Sequence, residues 1–551
     1  MTAGELREEP RRARTPLALG DAGWILGCGL LLALVLRPFQ DAPFVDDWVY
    51  AWSVEQLLAG RGLVILEWSA HPNFAQVLWG ALLAWPVGFS FVALRVSTWV
   101  AALLALCALQ LLLRELGVAR RDAFLGTALV AANPVFVMLA ATFMTDVPLV
   151  AALLWAALAF VVALRRRSDG WLAAFVVLAC VASAVRVVAV AAPIAAVATL
   201  ALHGGPWGRR PARLVAAAAP LAFLAVLLAW TDARAVHVAD LSHVVGSPTF
   251  RRRWLLETLI GRPELVLQAV LFAAGSVGLA LLPLAAAIVD RAVLRRALPV
   301  ACALGLAVVL ARATGVDWPP PLAPTFTWTW TELGASESLV APKPDHVAPA
   351  WATASATGAA FVSFALVMAL VLRRLRPEEA FLAWAAAGQL GLIAILWLFY
   401  DRYMLPLLPL LVALALAARP RLRPRVAVAL LAAFALVGAL GLRDHLAYSG
   451  ALWEAVARLR ARGVPDAEID GGYVVNGWLH FVREPGKQPR DAAGRVVFPW
   501  ITEAAGVLPY QLTNRPLPGW TVLDSVPYER WLGRSGAIYV LERAQRPARG
   551  A

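Results

Sequence analysis

Long apolar runs separated by short polar breaks occupy most of the chain up to residue 442. A hydrocarbon core about 30 Å thick takes about 20 apolar residues per helix, and many of the runs approach this length. The pattern therefore predicts an all-α polytopic membrane bundle. The apolar runs cover residues 22–38, 74–90, 93–113, 122–142, 148–164, 171–185, 187–202, 212–230, 265–289, 297–313, 351–372, 379–400, 404–418 and 426–442.

The arginines orient this predicted bundle, because short cytoplasmic loops concentrate positive charge. If every apolar run spanned the membrane, the basic loop 114–121 would face outward. If run 74–90 is instead a re-entrant or surface helix, all basic clusters and the N-terminus fall inside. We therefore predict thirteen spans, a cytoplasmic N-terminus, an extracytoplasmic C-terminus and a break in 171–202 near Arg186. The clusters are Arg114/Arg120/Arg121, Arg165–Arg167, Arg209/Arg210/Arg213, Arg291/Arg295/Arg296, Arg373/Arg374/Arg376 and Arg419/Arg421/Arg423/Arg425.

Composition excludes two classes of protein. The 551 residues are 61% hydrophobic and only 15% charged, and the mean hydropathy is +0.70. A soluble globular chain carries roughly 25% charged residues, so a cytosolic enzyme and a disordered protein are both excluded. The net charge of +13 comes almost wholly from arginine and predicts no nucleic-acid partner. Arginine-rich, alanine-rich usage suggests a GC-rich bacterial genome, and hence the inner membrane.

The four cysteines lie inside apolar runs, so we interpret them as small core residues and not as a disulfide frame or a metal site. They are Cys28, Cys107, Cys180 and Cys302.

Residues 443–551 differ sharply from the rest, with charges, glycines and no spanning run. Residues 453–462 have the pattern of an amphipathic helix ending at Gly463. We predict a transmembrane domain over 1–442 and a small extracytoplasmic α/β domain over 443–551, about 100 residues being a viable size for a domain. Its predicted short strands are Tyr473–Val475, Trp520–Leu523 and Ala537–Leu541.

Two neighbouring acids, Asp46 and Asp47, open the predicted first outer loop, residues 39–92. Acids beside hydrocarbon are costly and are functional candidates. Aspartate is also favoured at a helix N-cap, and the following residues have apolar positions at helical spacing, so both interpretations stay open. Asp146 is the second acidic candidate. It precedes Pro148, which suits the first turn of a helix, and its predicted side of the membrane is that of Asp46.

Arg186 and Arg402 are cationic candidates at the predicted outer ends of spans. Arginine suits phosphate through its planar set of donors. For Arg186 the alternative is snorkelling to the membrane surface, and for Arg402 it is a local ion pair with Asp401. Adjacent residues of a helix do not face each other, which favours an anionic partner for Arg402 from elsewhere.

Metal ligation is a weaker hypothesis, and a divalent metal ion is left open as a cofactor. The candidate ligands have no tight spacing of the kind that metal-binding helices use. Residues 471–478 lack the lysine and following helix of a phosphate loop, so we predict a turn there. The candidate ligands are Glu67, His71, His237 and His243.

Four short motifs resemble those of GT-C integral-membrane glycosyltransferases, in particular the protein O-mannosyltransferase and aminoarabinose-transferase-like families. The motifs follow the family order over residues 39–410. Asp47 stands where glutamate is usual, and Asn73 stands where a second proline is usual. The motifs are Asp46-Asp47-Trp-Val-Tyr50 for Asp-Glu-x-x-Tyr, His71-Pro72 for His-Pro-Pro, Met144-Thr-Asp146-Val-Pro148 for Thr-Asp-x-Pro, and Asp401-Arg402-Tyr403-Met-Leu-Pro406 for Arg-Tyr-x-x-Pro.

The resemblance implies a GT-C-like fold and an enzyme that transfers a sugar from a polyprenyl-phosphate donor to a hydroxyl of a glycan, lipid or protein at the outer face of the membrane. It implies Asp46 as the base or acceptor-orienting acid, with Asp47 and Asp146 as supporting acids. Arg402 is the expected phosphate ligand. The other residues that we expect against substrate are Tyr50, His71 and Tyr403, from these motifs, and Arg186, from its place at the predicted outer end of a span.

Two other functions stay open at this point. A transporter or lipid flippase would also be polytopic, although such proteins usually carry internal repeats and mid-membrane charges. The chain has no convincing repeat, and its polar candidates gather at one predicted face. A non-catalytic subunit for envelope-glycan assembly is the second alternative, against which the presence of Asp46 and Asp146 argues weakly.

Overall fold

The computed structural model describes residues 19–44, 46–66, 69, 72–232, 261, 263–288, 290–313, 350–395, 400–483, 508–532 and 535–543. Most of these residues are helical, and several helices are strongly apolar, which confirms the coarse prediction of fold class. The α-helices are Leu19–Leu36, Asp47–Leu58, Phe74–Ala84, Phe91–Glu115, Arg120–Ala131, Pro134–Ala140, Asp146–Arg166, Asp169–Ser183, Ala191–His203, Gly205–Gly208, Pro211–Asp232, Pro263–Ala280, Leu282–Ala287, Arg291–Ala313, Ala350–Val371, Pro377–Ala394, Leu407–Ala417, Pro424–Ala461 and Gly472–Asn476.

Within the described residues, five helices are long and apolar enough to cross a membrane, or six if one bent pair counts as a single span. The bent pair, Arg120–Ala131 and Pro134–Ala140, turns by 64°. Asn133 causes the break, because its side chain accepts hydrogen bonds from the backbone of Val135 and Phe136 and starts a new helix at Pro134. The count of thirteen spans remains a prediction. The five helices are Phe91–Glu115, Asp146–Arg166, Pro211–Thr231, Arg291–Leu310 and Pro424–Ala461.

The apolar run at 74–90 forms a helix that is too short to span a bilayer. Helix Phe74–Ala84 has 11 residues, which rise only about 16 Å. A hydrocarbon core needs about twice that length. The length agrees with the prediction that this segment does not cross the membrane.

The apolar stretch at 171–202 is broken at Arg186. Helix Asp169–Ser183 ends before it, and a single 3₁₀ turn, Val187–Val190, leads into helix Ala191–His203. Arg186 itself is extended, with φ −152° and ψ 143°. Because the backbone is extended here, the Arg186 side chain does not follow the direction of the side chains in either flanking helix and can point toward other helices.

The longest helix, Pro424–Ala461, has 38 residues. It contains both the apolar run 426–442 and the amphipathic segment 453–462, which the sequence pattern predicts as separate helices. The predicted domain boundary at 442/443 thus lies within one continuous helix. Gly463, at φ 80°, ends it by taking the left-handed conformation that glycine adopts without steric cost.

A four-stranded sheet packs on the second half of this long helix. The order is β1-β2-β4-β3; β1 pairs with β2 in parallel, and the other two pairings are antiparallel. Buried apolar side chains of the helix, among them Val456 and Leu459, meet those of the sheet, among them Ile538 and Val540. The strands are β1 Ile469–Asp470, β2 Tyr510–Thr513, β3 Trp520–Tyr528 and β4 Gly536–Arg543.

The strand predicted at Tyr473–Val475 is wrong, because these residues lie in the helix Gly472–Asn476. Asp470 accepts hydrogen bonds from the backbone of Gly472 and from the Asn476 side chain. These side-chain hydrogen bonds stabilise a helical turn. The two valines, which are β-branched, favour a strand in the sequence pattern and do not indicate this turn. Val474 and Val475 are both buried, whereas a half-buried strand would alternate.

The predicted topology is testable at Ala119, which is exposed in the basic loop 114–121. In a variant lacking the four native cysteines, Ala119→Cys should react with a membrane-impermeant maleimide only after the cells are permeabilised. Val522→Cys, on an exposed position of β3, is the matched control and should react in intact cells. Labelling of position 119 in intact cells would contradict the topology, because the basic cluster would then face outward.

Candidate active site

Asp46 lies at the N-terminus of helix Asp47–Leu58, but within the described structure its side chain makes no capping hydrogen bond. Its carboxylate instead accepts a hydrogen bond from Arg402 Nη2 at 3.1 Å and another from the hydroxyl of Tyr473. The Asp46 side chain is 15% exposed and that of Arg402 is 8% exposed. Asp46 is thus positioned by its cationic partner and not by the helix that it begins.

Asp146 makes the second ion pair of the site. It stands in the first turn of helix Asp146–Arg166 and is buried, and its carboxylate accepts a hydrogen bond from Arg186. Arg186 reaches it from the break between two helices. Arg186 therefore does not snorkel to the membrane surface, because its guanidinium is buried and bonds Asp146.

Two tyrosines join the ion pairs into one cluster. The ring centre of Tyr403 lies 5.0 Å from the guanidinium carbon of Arg186 and 5.5 Å from that of Arg402. Tyr50 is buried and interacts electrostatically with both acids and both arginines. Burial, followed by the Asp46 carboxylate, raises the pKa of Tyr50 against the lowering effect of the arginines, so its hydroxyl stays protonated and is available as a donor.

Several buried polar atoms of this cluster have no hydrogen-bond partner among the residues that the structure describes. They are Arg402 Nε and Nη1, Arg186 Nε and Asp146 Oδ2. A buried donor without a partner is costly, and a guanidinium more so than a neutral group. The cluster therefore has unused donors that an anionic ligand would satisfy.

Asp47 faces away from this cluster and is fully buried. Its carboxylate pairs with Arg95 at 3.2 Å and accepts the backbone N–H of Phe143 at 2.8 Å. Phe143 lies three residues before Asp146, so Asp47 ties the loop that carries Asp46 to the segment that carries Asp146. Gln76 strengthens the same junction by donating to the carbonyl of Phe143 at 2.7 Å.

Sequence reasoning missed Arg95, which lies in the apolar helix Phe91–Glu115 and is fully buried. Its guanidinium lies 3.8 Å from the ring centre of Phe44, in addition to its pairing with Asp47. The available signal was a single arginine in an apolar run, because such a charge requires a partner inside the protein.

Tyr473 was also missed. It comes from the segment 471–478, which the sequence pattern predicts as a turn, yet its ring lies edge-on to Trp48 at 5.8 Å. Gly477 permits this packing, since a Cβ there would lie 2.4 Å from the Trp48 ring. Nothing in the local sequence links Tyr473 to Asp46, because the contact joins segments 427 residues apart.

The structure does not test the candidate metal ligands, because none of them is among the residues that it describes. Within the described ranges no group of three or more His, Cys, Asp or Glu residues could hold a metal ion. The neighbouring Asn73 is buried at φ 30° and begins helix Phe74–Ala84. Glu67, His71, His237 and His243 lie outside the described residues.

Three solved structures show similarity to the chain. The enzyme ArnT from Cupriavidus metallidurans, bound to undecaprenyl phosphate, is 14% identical, with 95% of this chain and 98% of that chain covered and a TM-score of 0.48. The Pmt1–Pmt2 protein O-mannosyltransferase complex of S. cerevisiae, bound to its sugar donor, is 18% identical, with 39% and 33% covered and a TM-score of 0.31. The oligosaccharyltransferase AglB of Archaeoglobus fulgidus, with an inhibitory peptide and a dolichol-phosphate, is 15% identical, with 80% and 59% covered and a TM-score of 0.40.

No curated protein sequence matches the chain. A family model does match it: residues 72–230 match that of dolichyl-phosphate-mannose-protein mannosyltransferase. This stretch contains Asp146 and Arg186 and begins at Pro72, the second residue of the His71-Pro72 motif. The match confirms the resemblance indicated by the motifs: over residues 72–230 the chain has the sequence pattern of a GT-C family of membrane glycosyltransferases.

Proposed function

We propose that this protein is a membrane glycosyltransferase that moves a sugar from a polyprenyl-phosphate donor to an acceptor hydroxyl at the outer face of a bacterial inner membrane. The observation that carries the proposal is the largely buried Asp46–Arg402 pair beside the buried Asp146–Arg186 pair. The cluster combines carboxylates that can accept a proton with guanidinium donors that can bind a phosphate.

The donor phosphate would bind between the two arginines. Arg402 has Nε and Nη1 unused in the described structure, and Arg186 has Nε unused. A guanidinium presents its donors in a planar fork that matches phosphate oxygens. During transfer the phosphate leaves with the bonding electrons, so preorganised donors stabilise the transition state more than the ground state.

The acceptor hydroxyl requires a base, and Asp46 fits that role. In a single displacement the acceptor oxygen bonds to the anomeric carbon while the bond from that carbon to the phosphate oxygen breaks. The hydroxyl proton passes to Asp46, and the electron pair of the broken bond goes to the phosphate. One displacement inverts the anomeric centre, and the supporting acid Asp146 keeps Arg186 oriented.

Asp46 accepts a hydrogen bond from Nη2 of Arg402, while Nε and Nη1 are the donors proposed for the phosphate. The guanidinium can therefore hold the donor phosphate and the Asp46 carboxylate next to each other, and a bound phosphate would weaken its attraction for the carboxylate. Tyr473 would then hold Asp46 in place through its hydroxyl. Asp47 supports the site from behind, because its bonds to Arg95 and Phe143 fix the two acid-bearing loops.

The first prediction concerns the base. Asp46→Asn keeps the size of the side chain but cannot take up a proton, so transfer should fall by about 100-fold or more, the usual contribution of a general base. Mass spectrometry of envelope lipids and glycans from a deletion strain, complemented with each variant, measures the product. Asp21→Asn is the matched control, since Asp21 is a buried acid whose ion-pair partner is Arg120, in the basic loop 114–121. A scaffold function would instead leave Asp46→Asn with full product.

The second prediction concerns the phosphate ligand. Arg402→Ala should lose nearly all transfer, whereas Arg402→Lys should retain part of it, because lysine keeps the charge and loses the fork of donors. Both variants should insert normally, since the arginine clusters that set the topology are unchanged. Membrane content measured by immunoblot, together with the same product analysis, provides the test. A wild-type amount of product from well-expressed Arg402→Ala would contradict the prediction and would mean that other residues bind the phosphate.

The third prediction concerns Tyr473. Tyr473→Phe keeps the aromatic ring that packs on Trp48 and removes the hydroxyl that bonds Asp46, so turnover should fall by about 10-fold, in line with about 1.5 kcal/mol for a bond to a charged group. The apparent KM for the donor should change little, because the phosphate is held by the arginines. Tyr448→Phe is the matched control. Tyr448 lies on the long helix Pro424–Ala461 and packs on Tyr528, so this variant should retain wild-type turnover. If both variants lowered turnover equally, the proposed role of Tyr473 in holding Asp46 would be contradicted.

A further inference from the structure

An exposed apolar surface follows strand β3, at residues that the proposed reaction does not use. Trp531 is 66% exposed and Leu532 is 48% exposed. Their backbone N–H groups donate to the two carboxylate oxygens of Asp444, each at 2.7 Å. This pair of bonds fixes the two residues to the long helix Pro424–Ala461. The exposed surface therefore lies at a defined position along the axis of that helix, beside residue 444.

That position corresponds to the boundary of the hydrocarbon core of a bilayer. Asp444 lies 20 residues beyond Pro424, a rise of about 30 Å, which equals the thickness of the hydrocarbon core. Between these two residues the helix exposes Val428 and Leu436, as a lipid-facing helix does. The basic cluster at 419–425 marks the other membrane surface.

A second apolar helix gives the same position independently. Gln40 follows the apolar helix Leu19–Leu36 by four residues, and its side chain donates to the carbonyl of Leu446 at 2.8 Å. Residues 443–446 therefore lie at the level where the first apolar helix has just ended. Trp531 and Leu532 are bonded to residue 444 and share this level.

The composition of the surface suits a lipid headgroup region. The guanidinium carbon of Arg443 lies 4.2 Å from the ring centre of Trp531, and Arg443 Nη1 donates to the carbonyl of Glu529 at 2.8 Å. Tryptophan is enriched at membrane–water interfaces, and arginine extends its charge to the phosphates while its stem covers apolar surface.

We propose that Arg443, Trp531 and Leu532 form a lipid-binding surface, which inserts into the headgroup region of the adjacent leaflet and holds the sheet against the membrane. The partner is the phospholipid surface itself, whose phosphates face Arg443 and whose upper acyl carbons face Trp531 and Leu532.

The middle of β3 lies far from this surface. Asp524 bonds Arg462 at 2.8 Å and Arg458 at 3.4 Å, and Arg458 is 14 residues beyond Asp444 on the helix. This separation is about 21 Å along the helix axis. Val522, on β3 two residues before Asp524 and exposed at 45%, is therefore a control apolar position that should stay in water.

The test is a depth measurement on the full chain, freed of its four native cysteines and reconstituted in vesicles of phosphatidylcholine and phosphatidylglycerol. A nitroxide at Leu532→Cys should be accessible to oxygen and protected from a water-soluble nickel complex. The same label at Val522→Cys should show the reverse. Equal, water-like accessibility at both positions would overturn the proposal.

A second variant distinguishes contact with lipid from contact with a protein partner. Trp531→Glu, combined with the label at 532, should shift its accessibility toward that of the 522 control, because a carboxylate is expelled from the headgroup–acyl boundary. The backbone bonds to Asp444 remain, so the sheet should stay folded, as its thermal transition would report. A label at 532 that is immobile and inaccessible to both reagents would indicate a protein partner and would contradict lipid binding.

Discussion

The burial of two guanidinium groups in one cluster is the constraint around which the site is built. A charge removed from water is tolerated only with a partner and well-placed hydrogen bonds, and loss of either partner leaves an uncompensated charge. Arg402 and Arg186 each have one carboxylate partner, and the ring of Tyr403 lies beside both. The segments that carry these residues must therefore lie in contact in the folded protein.

A second buried pair serves as the support of the first. Arg95 is inside an apolar helix with no exposed surface, and Asp47 is its carboxylate partner. The remaining capacity of that carboxylate goes to the backbone of Phe143. Adjacent acids thus have separate duties: Asp47 joins two loops in the interior, while Asp46 faces the cluster where the proposed chemistry takes place.

The long helix Pro424–Ala461 explains how a segment outside the apolar bundle can reach the site. Because the helix is continuous across residue 442, the sheet that packs on its second half has a fixed position relative to the membrane-facing half. The segment 471–478 then returns to the first loop, where Trp48 receives Tyr473 and Gly477. A hinge at the predicted boundary would have left the Tyr473–Asp46 contact unspecified.

The sequence by itself determined what depends on local pattern. Apolar runs and arginine placement predicted a mostly helical membrane protein, and this coarse prediction is confirmed. Short motifs pointed to Asp46, Asp146 and Arg402, and the predicted outer end of a span pointed to Arg186, because charges at the ends of apolar runs stand out locally. Tertiary structure alone decided the pairings, since the Asp46–Arg402 bond joins segments 356 residues apart. The same holds for Tyr473, whose role depends on where a distant segment returns, and for the helix at 472–476, which side-chain hydrogen bonds impose against a strand-like pattern.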